Sequence, residues 1–412
     1  MTVTAAPPRH VSFTAWRGTS LTDGHHRGTR SDDDGLHLGA PAGTLIYLDP
    51  YAAPAGRDDT GAATYEWCAW TSPEVELPFA ATEVVASWNA ETPADSWLLV
   101  EARGASAPAA GVRRWSRWLT LARWADSDRE IHPTSAPGQV DQDAFVETDV
   151  LTAREGAGFV AYQLRVSLLR QPDSTAAPRV RMVGAMASQV PHAAPDEVSG
   201  GGAAWGLELP VPAYSQQLHR GEYVGWDRGG RSWCSPTSTS MLLAFHDRLP
   251  APDDYEWVET DYPDRFVVQA ARHVFDYAYG GAGNWPFNTA YAGRNGVHAF
   301  VTRLRSLAEA EAFIVAGIPL AATLSFTRET LPCAGYETVG HLMTIIGFDE
   351  TGDVICNDPA SHSIASNDEV RVVFDRRRFE QAWLGSAGGV VYVVHTDDVP
   401  LPPPTDPAEP NW

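Results

Sequence analysis

Two hydrophobic rhythms divide this chain. From about Val11 to Ser188, apolar and polar residues alternate in short runs, at 44–48, 83–88, 96–103, 118–124, 159–166 and 180–184. Period-two alternation between Gly, Pro and Asp turns predicts strands with one buried face. So many strands in a row predict an all-β sandwich or jelly-roll-like domain over residues 10–188. The second half changes rhythm. Apolar residues recur at helical spacing over 265–279 and 306–316, a buried strand follows at 318–326, a short helix at 375–384 and a closing strand at 389–394. Helices early and strands late predict an α+β domain over 207–397. An Ala/Pro/Gly-rich stretch, 189–206, reads as the linker, and the acidic, Pro-rich end, 398–412, as a disordered tail.

The candidate chemistry lies in the second half. In Arg231-Ser232-Trp233-Cys234-Ser235-Pro236-Thr237-Ser238 a loop turns into a helix. Pro236 suits the first turn, and Met241, Leu242 and Phe245 supply the apolar face. A thiol at a helix N-terminus sits among unpaired N–H groups at the positive end of the dipole, which favours the nucleophilic thiolate. About a hundred residues on, two β-rich runs flank Asp349-Glu350-Thr351-Gly352 and predict a hairpin. Folding it about that turn sets Asp358 opposite Met343 and Thr344, at the end of the ribbon that carries His341. A carboxylate beside an imidazole fixes its tautomer, so Cys234, His341 and Asp358 form a nucleophile–base–orienter set.

The pattern resembles a papain-like cysteine peptidase, in particular the group related to the bacterial double-glycine-leader peptidases, in the stand-alone branch not fused to a transporter. Segments in the family's chain order carry the resemblance: Val211-Pro212-Ala213-Tyr214-Ser215-Gln216, Trp233-Cys234-Ser235-Pro236-Thr237-Ser238, Gly340-His341 and Asn357-Asp358-Pro359. It covers roughly residues 209–396 and implies an α+β papain-like fold. It also implies that Cys234 is the nucleophile, His341 the base, Asp358 the orienting acid and Gln216 an oxyanion donor, with the Cys234 N–H as second donor. Without it Gln216 and Gln217 are not distinguished. Ser235 stands where many relatives have glycine, and bears on how closely substrate approaches the turn.

Other residues compete for these roles. Cys68 and Cys356 read as core thiols, while Cys333, in a loop, lacks helix N-terminal chemistry. His362 is a rival base and Asn357 a rival orienter. The glycine-rich stretch 280–291 reads as a loop that lines the cleft or is stapled to the core, and Trp233, Asn284 and Trp285 are the substrate-contact candidates. In the first half, Trp88, Trp97, Trp115, Trp118 and Trp124 make a carbohydrate-binding module the alternative role. The acidic loop around Asp23-Gly24-His25-His26 and Asp32-Asp33-Asp34 lacks the ligand spacing of a calcium site, and neither metal nor cofactor is expected.

Composition narrows the partners. A formal net charge of -22 argues against nucleic acid and anionic membranes, and no apolar run is long enough to span a bilayer. The start has no apolar signal core, so the sequence as written reads as cytoplasmic, with export not excluded. The expectation is cysteine-dependent hydrolysis of peptide or amide bonds in a peptide or protein substrate. A thioester-forming acyl transferase and a non-catalytic glycan- or peptide-binding protein on the same scaffold are the alternatives.

Overall fold

Alternation becomes architecture in the strand Phe159–Arg170. Leu164, Val166 and Leu168 are fully buried on one face, while Arg165 and Ser167 look out from the other. The computed structural model describes residues 8–52, 62–107, 111–191 and 193–412. The expectation about a signal core rests mainly on residues 1–7, which lie outside the described residues.

The described chain divides into two units. One comprises 14–187 together with 272–294, the other the described part of 1–13 with 188–271 and 295–412. The first is built on a nine-stranded and a seven-stranded sheet. In the nine-stranded sheet, Phe159–Arg170 lies between Ser96–Ser106 and Ala62–Thr71, antiparallel to both. In the other, Arg179–Gln189 is central. Side chains from the two sheets meet edge to face, Trp16 against Trp70 at 5.5 Å and Trp88 against Trp124 at 6.3 Å, and the Tyr162 hydroxyl donates to Ala185 O. Such T-shaped pairs fill a sandwich core at favourable ring geometry.

Residues 272–294, expected within the second domain, pack in this first unit. Asn284 caps the helix Trp285–Arg294, its Oδ1 accepting from Phe287 N at 3.0 Å. The stretch had been expected as a loop; its glycines precede the cap, and Pro286 sits in the first turn where a missing N–H is harmless. Phe287 packs on Trp88, 6.2 Å between rings, and Asp149 accepts from Trp285 N at 3.0 Å.

The second unit holds an antiparallel sheet. Six of its seven strands are β1 (His298–Arg303), β2 (Leu320–Phe326), β3 (Thr338–Phe348), β4 (Val354–Asn357), β5 (Arg371–Phe374) and β6 (Val390–His395), in the order β1-β6-β2-β3-β4-β5, and the seventh, Leu207–Glu208, pairs with β3. Helix α1 (Cys234–Phe245) is tied to β3 where the Ser238 hydroxyl donates to Leu342 O. The unit is thus α+β.

Two segments expected to be loose are held. Glu311 accepts from Gly202 N and Ala203 N at 2.8 Å each and pairs with Arg376, while Glu380 takes Ser199 N, so the predicted linker is pinned. In the tail, Asn411 is fully buried and donates to Arg303 O at 2.8 Å, and Trp412 packs edge-on to Phe313 at 4.8 Å. Composition suggested disorder for that tail, but a buried amide with satisfied bonds and an aromatic anchor offset the ordering entropy.

Replacing Trp88 by alanine is expected to destabilise the protein by about 3–5 kcal/mol, the usual cost of deleting a fully buried Trp. Chemical denaturation checks this, and a loss under about 1 kcal/mol would remove Trp88 from the core.

Candidate active site

The nucleophile turn is built from a short helical turn and a glycine. Gln216–His219 forms a 3-10 turn that starts at Ser215, whose hydroxyl accepts from Gln217 N. Gly230 closes the loop back on that turn, its N–H donating to His219 O at 3.0 Å. A Cβ at Gly230 would meet Gln216 O at 2.2 Å, so only glycine permits this approach. Trp233 then anchors the turn, fully buried, with its indole N–H on Trp226 O at 2.7 Å. Cys234 follows as the first residue of α1, half-buried, where the first-turn N–H groups have no partner within the helix.

The hairpin of β3 and β4 delivers the other two groups. Thr344 pairs with Asn357 in the register, which carries Asp358 alongside the His341 end of β3. His341 Nε2 lies 2.8 Å from Asp358 Oδ1, with both side chains buried. The Cys234 thiol lies near enough to the same imidazole to bear on its charge, and since Nε2 faces the carboxylate, Nδ1 is the ring nitrogen not taken by Asp358. Burial alone would lower the imidazole pKa, but the negative charges of Asp358 and Cys234 outweigh it and raise His341 to about 10. The ring is therefore held protonated through the neutral range.

Tyr336, which the sequence reading missed, completes the cluster. Its hydroxyl donates to both Asp358 oxygens, at 3.0 and 2.9 Å, and its ring stands edge-on to His341 at 5.5 Å. Burial, with the Asp358 charge beside it, pushes the phenol well above its usual range, so it remains a donor. Phe326 flanks the imidazole edge-on as well, at 6.3 Å. A tyrosine five residues before the histidine was the only sequence signal, and it does not reveal which group the hydroxyl meets.

Gln216 is nearly fully buried in the same turn. Its Nε2 uses one N–H on Arg231 O at 3.1 Å and keeps a second, while its N–H donates to Pro359 O at 2.9 Å, beside the acid. The segment is a helical turn and not extended, so strand alternation is not what separates Gln216 from Gln217.

Trp233 is closed inside the turn, and Asn284 and Trp285 belong to the other unit. Asn284 is committed to capping and to Asp276, 3.0 Å away. Ser235 points into the core, its hydroxyl 2.9 Å from that of Tyr392, and so does not line the approach to the thiol.

The competitors separate by burial and partners. Cys68 and Cys356 are buried, and burial pushes both thiols up; Cys333 is exposed. Asn357 faces away from the cluster and donates to Val211 O at 3.1 Å, and His362 is exposed. His219, beneath Trp233, is lowered to about 4 by burial and stays neutral. Among the described residues no group of three or more His, Cys, Asp or Glu is arranged to hold a metal ion, and no helix is long and apolar enough to cross a membrane.

Comparison with known proteins covers both halves. Residues 12–188 match the family model of the Peptidase C39 N-terminal domain, and residues 208–390 that of the Peptidase C39-like family. No curated protein matches the chain. Among solved structures, TmCBM61 in complex with beta-1,4-galactotriose aligns over 43% of this chain and 87% of its own at 10% identity. Its TM-score is 0.16, too low to carry an argument. With both family models matched in tandem, this protein is a relative of the C39 papain-like cysteine peptidases.

Proposed function

We propose that the protein is a cysteine-dependent hydrolase of peptide or amide bonds, acting through a papain-like centre in its second unit. The observation that carries this reading is the 2.8 Å contact between His341 and Asp358 on the imidazole that Cys234 also reaches.

Each group has one task. The Cys234 thiolate attacks the scissile carbonyl, forming a C–S bond and a tetrahedral oxyanion. The N–H groups of Cys234 and Gln216 Nε2 donate to that oxyanion as its charge develops. The imidazolium of His341 protonates the leaving amine as the C–N bond breaks, giving a thioester and a neutral ring. The ring then takes a proton from water, whose oxygen displaces the thiolate and releases the acid. Asp358 fixes the ring orientation and stabilises its protonated form, and Tyr336 holds Asp358 in place.

The expected result with a mixed peptide substrate is new amino termini with the wild-type chain and none with Cys234→Ala, read by mass spectrometry. Full activity in that variant would end the proposal, and amine adducts in place of free acids would move it to acyl transfer.

Tyr336→Phe should lower kcat/KM by about 10-fold or more, in keeping with the ~1–3 kcal/mol cost of leaving a buried charged acceptor short of a donor. It should also shift the alkaline limb of the pH–rate profile downward, because a less well-held carboxylate stabilises the imidazolium less. An unchanged profile would leave Tyr336 a packing residue.

The raised pKa of His341 has a stability sign. The proton contributes fully below the ordinary histidine value of about 6.5. That contribution is lost as pH rises through about 10. Melting temperature should therefore fall across that window more steeply in wild type than in His341→Ala; parallel curves would refute the raised value.

A further inference from the structure

The nine-stranded sheet of the first unit has an outward face whose chemistry the peptidase centre does not use. The register sets Arg165 opposite Thr71 and Glu101, Ser167 opposite Ala69 and Leu99, and Leu169 opposite Trp67, so these side chains share one face. They line a hollow of about 460 Å³, rimmed by His25 and Arg27 on the neighbouring strand. That volume falls in the ~300–1,000 Å³ range of small-molecule sites.

Arginines stacked on tryptophans border the hollow and continue along the same face. Arg27 lies 4.6 Å over Trp67, Arg165 4.4 Å over Trp118, and Arg103 4.6 Å over both Trp115 and Trp118. Arg165 is neutralised by Glu101, to which it donates twice at 2.7 Å. Arg103 donates instead to the neutral amide of Gln163 at 3.0 Å. Among the described residues neither Arg27 nor Arg103 forms an ion pair, although the chain carries a net charge of -22. In so acidic a protein, Arg27 at the hollow and Arg103 further along the same face are each held by aromatic stacking as a separate, preorganised donor for a carboxylate, spaced to meet different residues of one chain.

The tryptophans first considered for sugar contact divide accordingly. Trp88, Trp97 and Trp124 are core residues, whereas Trp115 and Trp118 are half-buried beside these arginines.

We infer that this face binds an acidic, uronate-bearing glycan. The guanidiniums suit the uronate carboxylates. The hydroxyls of Thr71 and Ser167, set between the carbon surfaces of Ala69, Leu99 and Trp67, suit the alternating hydroxyl and C–H edges of a pyranose. An extended acidic peptide is the weaker occupant, because peptides join sheets along free strand edges. The floor strands Ala62–Thr71, Ser96–Ser106 and Phe159–Arg170 are each paired on both sides.

The test is calorimetric titration of the full chain carrying Cys234→Ala with polygalacturonate oligomers, so that binding is read without peptidase activity. The expected result is saturable binding that weakens at least tenfold in Arg27→Gln or Arg103→Gln, and that neutral β-glucan does not reproduce. Absence of heat with polygalacturonate overturns the inference, as does unchanged affinity in both variants. Equal binding of neutral β-glucan overturns the acidic specificity, and equal or tighter binding of polyglutamate transfers the face to acidic peptides.

Discussion

A carboxylate with no solvent exposure must draw its donors from the protein, and Asp358 takes them from three directions. His341, the Tyr336 hydroxyl and the Ala360 backbone N–H all point at it. Buried charge is costly unless paired and hydrogen-bonded. The second unit meets that cost by bringing the hairpin of β3 and β4, the loop before β3 and the first turn of α1 to one point. Nothing in this arrangement is adjustable singly. The imidazole is held charged because Asp358 lies beside it, and Asp358 is held in place by Tyr336 and the imidazole together.

The nucleophile turn obeys a steric constraint of similar weight. Gly230 lets the loop touch Gln216, Trp233 plugs the space beneath, and the two together set where α1 begins. The thiol gains its place at the helix N-terminus from that packing, and the same turn brings the Gln216 amide beside the acid loop through Pro359 O. Stiffness here comes from close contact and not from any single strong bond.

The first unit handles charge the opposite way. Its core is apolar and aromatic, and its arginines are displayed on a sheet face, stacked on indole rings. Stacking lowers the entropy of the long side chains, and it leaves Arg27 without an ion-pair partner among the described residues.

Much of this was legible in the chain. The strand rhythm of the first half, the hairpin about Asp349–Gly352 and the helix opening at Cys234 follow from local periodicity and turn chemistry, which act over a few residues. The order of motifs Gln216, Cys234, His341 and Asp358 carried the family. Tertiary contact decided the rest. Helix Trp285–Arg294 forms where a loop was expected, because Asn284 caps it and Phe287 finds Trp88 from a distant strand. The tail is ordered by Asn411 and Trp412, whose partners Arg303 and Phe313 lie about a hundred residues away. Tyr336 joins the cluster, and Trp233 is closed inside its own turn. A sequence specifies which groups can donate, accept or stack. Which of them meet depends on contacts between residues far apart in the chain, and only the folded structure brings those together.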